Sequence, residues 1–327
     1  MKRLQNRIAE SRYALPLTAL YAIGVWQLAG LTDQRLYVQL ATLAVSTYLM
    51  VELNNSNALI RIYSRMVSCA FLMLTAMVPF LFRSFPCELL MLCIITFYTI
   101  ILQTYQDKHS PGLTFYAFLC LGIASVVYVK VLYFVPFIWI LMASRLQAFS
   151  GRMLVASLLG LIAPWWFIVT WCFFNGDWTW LATHFEQLYT FEPPFGNLRS
   201  VADGAWPVAN NQQPATGLQL LISIAFVLLL SLIGTVHYLR NNSRDKIRTQ
   251  MIFEMIIILQ LLTTAFAIVQ PSQASMLLTI LIINASVLAG HFIALTNTRL
   301  TNILFCLLVA TCLLITAYNL WTPSLPF

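Results

Sequence analysis

Residues 217–236 read GLQLLISIAFVLLLSLIGTV, twenty consecutive positions without a charge. A helix of about twenty apolar residues is long enough to cross the roughly 30 Å hydrocarbon core of a bilayer. Every backbone N–H and C=O in that medium needs a partner inside the protein, so only a helix or a closed barrel can cross it. A barrel strand alternates apolar and polar residues at every second position, and this stretch does not alternate. The segment therefore reads as a transmembrane helix.

Similar runs extend to either side. They lie at 13–30, 35–52, 66–82, 87–103, 113–129, 132–147 and 153–174 before it, and at 250–269, 273–293 and 301–319 after it. The sequence therefore predicts an all-α, polytopic integral membrane helix bundle of about eleven transmembrane helices. Residues 1–327 form one transmembrane domain: seven helices over 1–174, a long periplasmic loop over 175–216, and four helices over 217–327. Composition agrees, with 60% hydrophobic residues, 9% charged and a mean hydropathy of +0.80. A soluble domain carries about a quarter charged residues, so this chain cannot cover itself with polar groups.

Lysine and arginine fix the expected orientation. With the N-terminus inside, fourteen of the eighteen fall in inner segments, and only Arg35, Arg83, Lys130 and Arg199 fall outside. This is the positive-inside asymmetry of a membrane protein whose N-terminus is cytoplasmic. It accounts for the net charge of +7 without any nucleic-acid partner. The opening MKRLQNRIAESRY and the apolar run after it are expected to form an uncleaved first helix. Leu113 to Leu146 is broken only by Lys130 and Pro136. It reads either as two spans turning at Lys130 or as a re-entrant pair with Lys130 in a watery cavity. Pro164 is expected to kink its helix. The seven cysteines show no CxxC spacing and read as core residues, with a Cys87–Cys172 bridge conceivable on the outer side.

The polar stretch 175–216 is the first candidate for chemistry. Trp178, Leu181, Phe185, Leu188 and Tyr189 recur at helical spacing, with Asp177, His184, Glu186 and Gln187 falling elsewhere. That pattern predicts a short amphipathic helix at the membrane interface. A carboxylate at this surface (Glu186, Glu192 or Asp203) could act as general base on a sugar hydroxyl, and Arg199 could grip a pyrophosphate. These four are the candidate catalytic residues. His109, His184, His237 and His291 show neither HxxxH nor HExxH spacing, and no phosphate-binding glycine loop or Gly-x-Ser-x-Gly elbow occurs. No metal and no cofactor is expected.

A second cluster gathers at the inner face. Glu52-Leu53-Asn54-Asn55-Ser56-Asn57 forms an amide-rich connection, followed by Arg61 and Arg65. Asn57, Arg61 and Arg65 share a helical spacing, which would keep one helix face polar. With Arg145 and Arg152 at the same level, Arg61 and Arg65 are candidates for binding anionic lipid headgroups. His237 and His291 fall near this surface. Glu254, about one turn inside its helix, is expected to find an arginine or amide partner. Deeper in the apolar runs, Gln260, Asn284, Thr263 and Thr264 suit interhelical hydrogen bonds.

The Asn-rich step with Arg61 and Arg65, Tyr105-Gln106 closing the fourth run, and the Arg145, Arg152 and Pro164-Trp165-Trp166 series together resemble a family of multi-pass inner-membrane proteins of Bacteroidota. That resemblance covers roughly the first half and implies a helical inner-membrane fold. The layout, with one large outer loop past the middle, is similar to polysaccharide polymerases, O-antigen ligases and peptidoglycan polymerases of bacterial envelopes. Such a likeness implies a polyprenyl-linked glycan as substrate. The chain departs from that group in lacking paired Arg-x-Gly loops. The expected function is therefore an assembly partner or accessory subunit in cell-envelope biogenesis. The alternatives are a polyprenyl-pyrophosphate-saccharide polymerase or ligase, and a lipid or small-molecule transporter or flippase. Expected partners are the lipid bilayer, a polyprenyl-linked glycan or other envelope membrane proteins.

Overall fold

The computed structural model describes residues 3–176, 178–191 and 217–321. Among the described residues the protein is helical and has no strand. Short α1 (Leu4–Ala9) leads into α2 (Ala14–Leu28), α3 (Tyr37–Asn57), α4 (Met66–Ala76), α5 (Phe85–Ile101) and α6 (Pro111–Val127). Then follow α7 (Val135–Ser144), α8 (Gly151–Asn175), α9 (Thr179–Tyr189), α10 (Gly217–Asn241), α11 (Ile247–Val269), α12 (Ala274–Leu295) and α13 (Arg299–Trp321).

Each apolar run of the sequence has its helix, and six helical segments are long and apolar enough to cross a membrane. These are Phe85–Thr104, Gly151–Asn175, Gly217–Asn241, Ile247–Val269, Pro271–Leu295 and Arg299–Trp321. Ala14–Leu28, Met66–Ala76, Pro111–Val127 and Val129–Ser144 are apolar but shorter. The architecture is that of a helical membrane bundle.

Side chains that meet across the chain show the helices running alternately up and down. At one end Gln5 Nε2 donates to the Ile293 carbonyl at 2.7 Å, and Arg248 Nη2 to Asn57 Oδ1 at 2.9 Å. The Gln106 amide there donates to the Leu146 carbonyl at 2.8 Å. At the other end Asn319 Nδ2 donates to the Met77 carbonyl at 2.7 Å, and Lys130 Nζ to Gln270 Oε1 at 3.1 Å. The first is here called the basic end and the second the loop end.

Helix α12 is the axis of the bundle, with 18 of its 22 residues buried. Glycines let its neighbours approach it. A Cβ on Gly290 would lie 2.8 Å from the Val67 backbone of α4, and one on Gly234 of α10 would lie 2.8 Å from the Leu288 backbone. Helices α6 and α8 meet in the same way, since a Cβ on Gly160 would lie 2.5 Å from the Phe115 carbonyl oxygen. Small residues of this kind are how membrane helices gain packing energy when the hydrophobic effect no longer separates helix from solvent.

One local expectation changes, at the end of α3. The amide-rich stretch up to Asn57 is the end of α3, and Ala58 ends that helix in a left-handed conformation (φ 48°). Residues 58–65 are not helical, so Asn57, Arg61 and Arg65 do not share a helix face. Lys130 sits at the turn between α6 and α7, where Val129–Phe134 is a 3-10 helix leading straight into α7. Its ammonium is buried and donates to the Thr190 carbonyl and to Gln270 Oε1. Helix α8 continues through Pro164, and Gly122 of α6 lies against the proline ring. Cys87 and Cys172 are not bridged, and all seven cysteines are free.

Candidate functional site

The densest polar cluster lies at the basic end, where the chain passes from α10 to α11. A 3-10 turn, Asn242–Arg244, makes that connection. It is held by Gln250, whose Nε2 donates to the carbonyls of Asn242 (2.7 Å) and Asp245 (2.9 Å). The Tyr238 hydroxyl in turn donates to the Gln250 carbonyl at 3.1 Å. These bonds drive Asp245 inward. Its carboxylate and the His291 imidazole of α12 are fully buried, with Oδ2 and Nε2 3.2 Å apart. Arg61 Nε approaches the other carboxylate oxygen at 2.8 Å, leaving the guanidinium partly exposed. His237 of α10 stands beside the pair with its ring 5.6 Å from that of His291. Phe253 covers His291 edge-on at 4.7 Å and stacks on Tyr238 at 4.8 Å. Inside the aromatic wall, neither His237 Nδ1 nor His291 Nδ1 has a hydrogen-bond partner among the described residues.

The first turns of α11 extend the network. Arg248 donates to Asn57 Oδ1 at 2.9 Å and to the Leu102 carbonyl at 3.3 Å, and lies over the Tyr105 ring at 5.9 Å. Asn54 Nδ2 donates to the Ser64 carbonyl at 3.0 Å, which closes the 58–65 segment onto α3. Nearly two turns beyond Arg248, Glu254 forms an ion pair with Arg145 from the end of α7. Asp245, Arg248 and Glu254 thus tie α11 to α3, α5, α7 and α12 from one helix start. A carboxylate between an arginine and an imidazole keeps the buried charge close to balanced, which is how an ionic group is tolerated inside a membrane bundle. On the same end Asp107 accepts the His109 backbone N–H at 2.8 Å, and that bond holds its pKa below the usual carboxylate value.

The headgroup candidates do not converge. Arg61 and Arg145 are engaged by Asp245 and Glu254. Arg65 is partly buried at the start of α4, and Arg152 is exposed in the first turn of α8. Of the catalytic candidates, Glu186 is exposed on α9. Glu192, Arg199 and Asp203 lie outside the described residues, as does Asp177. The short helix expected from the Trp178 to Tyr189 spacing is present as α9, with one correction. His184 faces inward, its Nε2–H donating to the Ser125 carbonyl at 3.0 Å and its ring stacked on Trp180 at 5.1 Å. Trp165 packs on Phe185 at 4.7 Å and donates to Ser125 Oγ at 2.9 Å, so it docks α9 onto α6 and α8.

Beneath α9, buried Lys130 donates to the Thr190 carbonyl (3.2 Å) and to Gln270 Oε1 (3.1 Å), with the Phe191 ring 5.6 Å away. Glu254 has the arginine partner that the sequence demanded. Asp245 is the residue of this candidate site that sequence reading misses. Its signal was a lone carboxylate inside the basic connection Arg244-Asp245-Lys246. No group of three or more metal-ligating side chains occurs among the described residues. Comparison with protein families, with curated proteins and with solved structures finds no match.

Proposed function

We propose that this chain is a multi-pass inner-membrane protein of cell-envelope biogenesis that serves as an assembly partner or accessory subunit. Its helices make about eleven crossings, its N-terminus is cytoplasmic, and residues 175–216 face the periplasm. The observation that carries the reading is how the bundle's ionic groups are used. Arg61, Arg145 and Arg248 are all spent on joining its own helices, around Asp245, Glu254 and Asn57 respectively. A network of this kind fixes a rigid frame on which another membrane protein can be assembled. Co-purification of the full chain in mild detergent tests it. A stoichiometric membrane partner is the expected result, and a solitary monodisperse protein overturns the proposal. Sidedness has its own test. A membrane-impermeant thiol reagent applied to intact cells should modify a cysteine introduced at Asn197 and spare one at Ser243.

A second reading, a polyprenyl-pyrophosphate-saccharide polymerase or ligase, is favoured by the way His184 and Lys130 hold α9 and Thr190 against the bundle, next in sequence to three of the four catalytic candidates. Alanine at Glu186, Glu192, Arg199 and Asp203 separates the two. Altered surface-glycan ladders with the partner still bound would select the enzyme.

A further inference from the structure

Helix α13 does not lie flat on the bundle. It touches α2 near the loop end, where the Tyr21 hydroxyl donates to Thr316 Oγ1 at 2.9 Å. At the basic end α1 bridges the gap, its Gln5 amide donating to Asn302 Oδ1 at 3.0 Å. Between these contacts the two helices part over an apolar cavity of about 400 Å³. Its inner wall includes Ala70 and Met73 of α4, Leu230 of α10 and Ala289 of α12. Leu17 and Leu313, both exposed, flank the opening between α2 and α13. An apolar cavity of roughly 150 Å³ already accepts a benzene molecule. This one has room for most of a single hydrocarbon chain, and its opening faces sideways, where a membrane bundle meets lipid.

The cavity ends at the basic end beside Ser11 and Tyr13, in the turn between α1 and α2. Arg7 and Arg12 are exposed on either side of that turn, and exposed Arg299 opens α13 next to Thr296 and Asn302, which hold α1. Glu10 is the one acidic side chain in the turn. The rim therefore has a positive excess where a lipid entering tail-first would leave its headgroup. The geometry points to a binding site for one anionic lipid, its chain in the cavity under α13 and its phosphate at Arg7, Arg12 and Arg299. This site is separate from the Asp245 network and holds whether or not the protein has a protein partner.

Native mass spectrometry of the full chain released from detergent tests it, with phosphatidylglycerol and phosphatidylcholine of identical chains as probes. One lipid should be retained per protein, with phosphatidylglycerol preferred. Changing Arg7, Arg12 or Arg299 to Gln should reduce that preference by roughly fivefold each, about the effect of one basic side chain near an anionic headgroup. Leu17→Trp and Leu313→Trp, at exposed positions where folding is not at stake, should block the opening and lower retention of both lipids together. Equal retention of the two lipids by the unaltered chain overturns the headgroup assignment. Unchanged retention in both tryptophan variants overturns the cavity. Displacement of phosphatidylglycerol by inorganic phosphate alone would assign the arginines to a soluble anion and overturn the lipid.

Discussion

Helices α12 and α13 are neighbours in sequence and both long and apolar enough to cross a membrane, yet 18 of the 22 residues of one are buried and only 6 of the 23 of the other. Lipid tails are as apolar as leucine, so hydropathy says only that a helix can enter the membrane, not where in the bundle it sits. What places α12 at the axis is its small and polar side chains. Asn284, Ala285, Ser286, Ala289, Gly290 and His291 are all fully buried or face a neighbouring backbone. Helix α13 instead presents Leu300, Ile303, Leu307 and Leu314 outward.

The largest effect that can break this comparison is at Gly290. Gly290→Leu forces a side chain into the Val67 backbone and should destabilise the bundle by about 3 kcal/mol, at the upper end for overpacking. Thermal unfolding in detergent reads it, with Gly24→Leu, at a site with nothing within 4 Å, as the neutral control. Next comes Asp245→Ala, which leaves His291 without its carboxylate. Because Arg61 can turn to water, the loss should be about 2 kcal/mol, below the full cost of breaking a buried pair. Tyr98→Phe removes the hydroxyl that donates to Asn284 Oδ1 at 2.9 Å and should cost about 0.6 kcal/mol, measured as the coupling in a double-mutant cycle with Asn284→Ala. Smallest is Leu314→Ala on the outer face of α13, expected within about 0.5 kcal/mol of zero. A loss there as large as that at Gly290 would mean that α13 is packed against protein after all.

Much of this fold was legible in the chain, because backbone hydrogen bonding forces each long apolar run to become a helix. The helix positions followed from that. Their neighbours did not, since Asp245 and His291 stand 46 residues apart and nothing in their local sequence links them. The end of α3 is hidden for a related reason. Glu52 to Asn57 reads as an amide-rich connection on composition, yet it is helix, with Asn54 and Asn57 partnered by Ser64 and Arg248. In the sequence His184 falls off the apolar stripe of α9. The ring turns inward because Ser125 offers it a carbonyl and Trp180 a stacking surface. Of the expected catalytic set only Glu186 falls among the described residues.

The bonds from α1 to the far end of the chain set an order of events during synthesis. Arg3 donates to the Asn297 carbonyl at 2.7 Å, and Gln5 to the Ile293 carbonyl and Thr296 Oγ1. Those partners emerge from the ribosome nearly 300 residues later, which at about 5–20 residues per second is roughly a quarter of a minute to a minute. Helix α1 is thus translated long before it can settle. Until it does, the gap below α13 has no floor at its basic end.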